Sequence, residues 1–273
     1  MKHMPPLIRI SFGAVILLAF CAVFAGVLAP YPTDELDLLN RFAPPVFIGG
    51  SADHLLGTDS LGRDLLSMVL RGIQVSLTVA VIGTIGGAIL GTTLGLLSAW
   101  FEGWVEAVIG IMIDFQATIP NLILALALLT ILPQANLLVF ILVMTVYGWE
   151  RYARLARALC LQAKGQAYVQ AQQVLGASAA RIVLRTILPN FMAVIVVNMS
   201  INFPSTILLE TTLSFLGIGI QPPDTSLGVL IGQGREQLYN APWTVLVPGA
   251  VILVATIAIS LIGDWARDRI EME

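Results

Sequence analysis

The sequence predicts an all-α membrane protein with six transmembrane helices. Three observations carry that prediction. Hydrophobic residues make up 57% of the 273 positions and charged residues only 11%, against about 25% charged in an average soluble domain. Charge is absent from the long stretches 10–33, 72–101, 115–149, 191–209 and 243–263. Lysines and arginines, by contrast, gather in a few connecting segments, which is how multi-pass proteins set their orientation.

The first span is placed at 9–29. Lys2, His3 and Arg9 precede it, as in a secretory leader, but its apolar run exceeds the ~7–15 residues of a leader core, so a retained anchor is expected. The second span is 74–100. The next apolar stretch, 115–149, is too long for one crossing of a ~30 Å hydrocarbon layer at ~1.5 Å per residue. It carries Pro133-Gln134-Ala135-Asn136 in its middle. A hairpin follows, with a third span at 107–132 starting near Glu106 and a fourth at 136–157, whose arginines snorkel at the surface. The fifth and sixth spans are 191–217 and 243–264. The chain thus divides into an anchor and extracytoplasmic segment (1–71), a membrane core (72–264) with a connecting loop at 158–190, and a tail (265–273).

Six spans leave both termini on one side. Ten of the 14 basic residues share that side: Lys2, Arg9, Arg151, Arg154, Arg157, Lys164, Arg181, Arg185, Arg267 and Arg269. Only Arg41, Arg63, Arg71 and Arg235 face the other side. Cytoplasmic termini are expected. So few cations, without interleaved aromatic residues, argue against nucleic-acid binding, whereas contact of the basic loop with anionic lipid fits. Cys21 and Cys160 fall at different depths, which disfavours a disulfide. Neither they nor His3 and His54 have metal-ligand spacing, and no metal site is expected. There is no Gly-rich loop ending in Lys-Ser/Thr, so no nucleotide hydrolysis and no enzymatic activity are expected of this chain.

Within the spans, Gly83, Gly87, Gly91 and Gly95 recur every fourth residue and form a smooth stripe on one helix. Such a stripe lets a second backbone approach closely, either inside the bundle or at a surface that meets a partner or slides. Asp114 and Glu210 are acidic groups at membrane depth, expensive unless paired, protonated or hydrated, and so candidates for the transport pathway. Asp114 precedes Pro120-Asn121 and equally suits a structural network; Glu210, beside Thr211, Thr212 and Ser214, equally suits glue between helices.

Between the fourth and fifth spans lies YVQAQQVLGASAARIVLRTILP, residues 168–189, in which two short helical pieces flank Gly176 and the second closes at Leu188-Pro189. It resembles the cytoplasmic coupling loop of bacterial ABC importer permeases, whose pattern is Glu-Ala-Ala, a glycine four residues on and Ile-x-Leu-Pro downstream. Gln170-Ala171-Gln172, Gly176 and Leu188-Pro189 carry the likeness, with amides where the family has a glutamate and a second alanine. Three further strings narrow it. Leu56-Gly57-Thr58-Asp59-Ser60-Leu61-Gly62-Arg63-Asp64, Glu210-Thr211-Thr212-Leu213-Ser214-Phe215-Leu216-Gly217-Ile218-Gly219 with Gln221-Pro222-Pro223, and Gly263-Asp264-x-x-Arg267-Asp268 are similar to signatures of the dipeptide/oligopeptide/nickel subfamily.

The resemblance implies a type I ABC importer permease fold in a bacterial inner membrane. It implies a second homologous permease, two ATPase subunits that hold the ATP and Mg, and an extracytoplasmic solute-binding protein. Coupling to the ATPase would fall to Gln170, Ala171, Gln172, Leu175, Gly176, Ala177 and Ser178. Cargo would be small peptides, with nickel chelates, glutathione-like compounds or opines as alternatives. A different class, a proton-coupled carrier using Asp114 or Glu210 as relay, is opposed by the six spans and the lack of a clear internal repeat.

Overall fold

The structure is a computed structural model that describes residues 4–132, 136–221 and 224–270. Among these the regular elements are helices: α1 (Pro6–Val23), α2 (Ala25–Leu28), α3 (Leu65–Trp100), α4 (Trp104–Thr118), α5 (Asn121–Ile131), α6 (Leu137–Val146), α7 (Trp149–Lys164), α8 (Ala167–Val174), α9 (Ala179–Ile182), α10 (Leu188–Phe215), α11 (Leu227–Gly234) and α12 (Trp243–Ile270). A π turn, Val183–Ile187, joins α9 to α10. Four described helices, α1, α3, α12 and the continuous stretch Ala179–Phe215, are long and apolar enough to cross a bilayer. The pair α4–α5 makes a fifth if its 101° bend counts as one broken span.

The bend falls inside the expected third span at 107–132. Proline at 120 has no N–H and pushes the preceding residue out of the helical region. Ile119 is extended, with ψ 127°, and α5 restarts at Asn121. The fourth expected span, 136–157, is also broken. Tyr147 is extended and Gly148 takes a left-handed φ of 83°, which resets the axis between α6 and α7. Of the expected turn, Pro133, Gln134 and Ala135 lie outside the described residues. Asn136 does cap α6, accepting from Val139 N at 2.9 Å. Pro222 and Pro223 also lie outside.

The helix α3 is the axis of the bundle, starting nine residues before the expected 74. Asp64 caps it by accepting from Ser67 N and Ser67 Oγ, both at 2.8 Å. The glycine stripe faces inward, onto α6 and α7. A Cβ added at Gly83 would come 2.6 Å from Met144 Cβ; at Gly91 and Gly95 it would collide with the carbonyl oxygens of Trp149 and Ala153. Between helices in lipid, where apolar burial supplies little drive, this close approach is what makes association favourable. Other α3 residues reach three apolar clusters. Met68 and Val69 share one cluster with Ile252 of α12, Val75 and Val79 another with Leu213 of α10, and Ala88 and Leu96 a third with Tyr152 of α7.

The Leu56–Asp64 string folds into a clasp over the start of α3. Thr58 and Asp64 form an isolated antiparallel bridge. Gly57 and Gly62 take φ of 79° and 76°, and neither has room for a Cβ. Asp59 accepts from Leu61 N, Arg63 N and Arg63 Nε, and Arg63 continues to Gln233 Oε1 at 3.1 Å. Trp243 Nε1 of α12 donates to Thr58 O at 3.1 Å, and His54 Nδ1 lies 3.1 Å from Asp64 Oδ1. The clasp therefore joins the long connection to α3, α11 and α12.

The stripe yields a paired prediction. Gly91→Leu should destabilise the protein by about 1–3 kcal/mol through overpacking. Gly110→Leu on α4, where an added Cβ meets nothing within 4 Å, should leave stability nearly unchanged. Thermal unfolding of both variants in one detergent checks the contrast, and equal midpoints would contradict it.

Candidate functional site

The segment that singled itself out in the sequence forms a hooked element at one end of the bundle. The helix α8 ends in a Schellman motif: Gly176, with φ 80°, donates to Gln173 O, and Ala177 N donates to Gln172 O, both at 3.0 Å. Ser178 then caps α9 by accepting from Arg181 N. A glycine is required at the hook because other residues rarely adopt this backbone, although the space around Gly176 is open.

Three contacts hold the hook to the bundle. Val169 is fully buried in the cluster with Cys160, Ile182 and Ile187. Thr186 Oγ1 donates to Gln172 Oε1 at 3.0 Å, and Asn190 Nδ2 lies 3.5 Å from Tyr168 OH. With its inner face committed, the hook presents Gln170, Ala171, Val174, Leu175 and Gly176 outward. Val174 and Leu175 are 87% and 84% exposed, an apolar tip on an otherwise polar element.

The second helical piece does not close at Leu188-Pro189, as the sequence suggests, but runs on into α10. Leu188 N bonds to Val183 O in the π turn, and Pro189 falls in the first turn of α10. The π turn just ahead of it interrupts the regular bonding pattern where the proline's missing N–H falls. The α9 arm of the hook and the span thus form one continuous helical stretch, Ala179–Phe215. Similarly, α12 extends to Ile270, so residues 265–270 of the expected tail are helical.

The two acidic pathway candidates sit in unlike places. Glu210 is fully buried and caged by hydroxyls. Ser214 Oγ donates to its Oε1 at 2.9 Å and Ser76 Oγ to its Oε2 at 3.0 Å. Ser76 Oγ also accepts from Leu227 N at 3.2 Å, so one hydroxyl ties α3, α10 and α11 together. Asp114 is exposed on α4. The two are not brought into one site.

Sequence reading missed a polar knot at the α6–α7 break. Gln116 of α4 donates through Nε2 to Val146 O at 2.7 Å and Glu150 Oε2 at 3.0 Å, and accepts from Trp149 Nε1. Arg151 reaches Asn202 of α10 at 2.9 Å, and Arg157 pairs with Glu106 of α4. A glutamine inside an apolar run was the available signal for the first. Also missed was α11, whose Gly228 and Gly232 let it pack against the backbone of α10 at Thr211 and Phe215.

Comparison with known proteins gives four likenesses. Residues 87–272 match the family described as binding-protein-dependent transport system inner membrane component. The chain is 35% identical over 258 residues to the di/tripeptide transport system permease protein DppC of Pseudomonas aeruginosa, covering 94% of this chain and 85% of that one. It is 38% identical over 271 residues to a putative peptide transport system permease protein of Brucella suis biovar 1, covering 96% and 88%. Among solved structures, an inward-facing MetNI methionine ABC transporter matches with a TM-score of 0.62 at 18% identity, over 74% of this chain and 95% of that chain.

The cage around Glu210 gives a graded prediction. Glu210→Ala should strand the donors of Ser76 and Ser214, at about 1–3 kcal/mol for each unsatisfied group. Glu210→Gln, which keeps a carbonyl acceptor, should recover much of that loss. Thermal midpoints of the purified variants measure the order, and an alanine variant as stable as the glutamine variant would contradict the cage.

Proposed function

The chain belongs to the binding-protein-dependent transport system inner membrane components, and from that membership we propose that it forms half of the translocation pathway of an ATP-driven importer of di- and oligopeptides. Relatives named for di/tripeptide and peptide transport support the cargo class. The chain is a non-catalytic inner-membrane permease subunit. Its fold matches that of an ABC transporter chain.

In this reading the chain crosses the membrane six times, once through α1 and five times through the core 72–264, when the bent α4–α5 pair and the broken α6–α7 pair each count once. Both termini and the loop 158–190 are cytoplasmic. A second permease completes the pathway, and two separate ATPase subunits bind ATP and Mg. A solute-binding protein delivers peptide to the side bearing the Leu56–Asp64 clasp. Asp114 and Glu210 remain the pathway candidates, with exposed Asp114 favoured over caged Glu210.

The observation that carries the mechanism is the hook. Its inner face is fixed by Val169 and Gln172, while Val174 and Leu175 stand out at its tip. An exposed apolar tip on a braced polar element fits insertion into a cleft of another protein. Residues Gln170 to Ser178 act there as the ATPase-docking element. Movement of the ATPases on nucleotide binding displaces the hook, and α9–α10 carries that displacement into the membrane.

Two substitutions test this. Leu175→Asp alters an exposed side chain, so membrane insertion and stability should stay within about 0.5 kcal/mol of wild type. ATPase assembly and peptide uptake should fall at least about tenfold, as for loss of an interface anchor of about 1.4 kcal/mol or more. Uptake by intact cells and co-purification of the ATPase decide it, and normal values for both would reject the hook as docking element. Gln170→Glu should change uptake less than about twofold, since an exposed ion pair is worth ~0–1 kcal/mol. Gln170→Arg, longer and opposite in charge, should impair uptake, and a severe salt-sensitive defect in Gln170→Glu would show that charge governs this contact.

A further inference from the structure

An apolar groove of about 550 Å³ runs between the Trp100 half of α3 and the hook-side end of the α9–α10 helix. Ile89, Leu96 and Trp100 form one wall and Leu184, Leu188 and Met192 the other. The lining from Ile85 to Trp100 spans about 22 Å of helix rise. That exceeds the ~15 Å of one bilayer leaflet, half of a ~30 Å core, so the groove can take a lipid chain along its length.

Its polar features are few. Thr92, on the α3 wall, is only 8% exposed, and its buried hydroxyl has no hydrogen-bond partner among the described residues. At the hook end, Arg181 and Arg185 each follow a lining residue, Ala180 and Leu184. Both arginines are exposed, and among the described residues neither enters a salt bridge. Trp100 stands at the same end with Lys164 Nζ 5.4 Å from its ring centre. Tryptophan and basic residues together mark the level of lipid headgroups.

We propose that this groove holds one anionic phospholipid, its acyl chain between α3 and α10 and its phosphate at Arg181 and Arg185. Charge complementarity selects this occupant. A helix of a partner protein would fill the apolar walls but needs no cation beside them, whereas a lipid phosphate can pair with Arg181 and Arg185, which follow the lining residues Ala180 and Leu184. Basic pockets between helices at a headgroup surface take anionic lipids for this reason. The placement rests on the reading of the loop side as the cytoplasmic face. Because the bound lipid would brace the junction of hook and span, occupancy should also affect coupling.

The test uses the full transporter complex in nanodiscs of phosphatidylcholine alone or mixed with phosphatidylglycerol. Lipid retained after extraction into detergent is measured by native mass spectrometry. Wild type should retain phosphatidylglycerol in preference to phosphatidylcholine. The double variant Arg181→Gln/Arg185→Gln should lower that retention on the order of tenfold. Leu184→Trp, which fills the groove but keeps both arginines, should lower it as well. Equal retention in all three proteins would overturn the proposal. Loss of ATPase assembly by the arginine variant in both lipid mixtures, with retention unchanged, would overturn it too, assigning the arginines to the ATPase. Retention does not require transport, so failed uptake with normal retention would count against the permease reading alone.

Discussion

Close backbone contact between α3 and the α6–α7 arm is the constraint on which the rest of the structure depends. It exists because four glycines occupy one face of α3, and side chains there would strike the backbone or Cβ atoms of Met144, Trp149 and Ala153. With α6–α7 seated on that face, the remaining surface of α3 is free to organise the other apolar clusters, against α12 near Met68 and against α10 near Val79. Lipid offers no competing drive for such contacts, so geometry has to supply it. Within this chain the stripe seats α6 and α7.

Several polar groups inside the bundle obey a second rule: they are answered by residues remote in sequence. Glu210 is met by Ser76, Gln116 by Glu150, Arg151 by Asn202 and Thr58 by Trp243. Buried polar groups without partners are costly, and inside a membrane water is not at hand to help. Such partnerships explain how an apolar protein tolerates carboxylates and amides at depth. They also act as cross-links that fix which helices are neighbours.

Much of this was legible in the sequence, but unevenly. Helical character and the approximate places of α1, α3, α10 and α12 follow from uncharged runs of membrane length. The hook was legible because Gly176 sits between short polar helical pieces. Breaks inside apolar runs were not. Pro120 bends α4–α5 by 101°, yet proline within a span is often tolerated, as Pro204 and Pro248 are here. Pro189 looked like a terminator and is instead carried through by a π turn, which no local pattern reveals. The environments of Glu210 and Asp114 were illegible because a carboxylate's surroundings depend on which distant helix lies beside it, and only the fold decides that.

The unbroken path from Ala179 to Phe215 has a mechanical consequence. Its 37 residues form a hydrogen-bonded rod of roughly 55 Å at the rise of an α-helix. A flexible loop between hook and span would act as a soft spring and absorb part of any push in its own deformation. A rod has little slack, so a displacement applied at Ala179 must reappear as tilt, rotation or bending further along. Its most compliant points are the π turn at 183–187 and Pro204, where the regular bonding pattern is interrupted. Between them they define a stiff segment with a softer joint at either end, the layout of a crank.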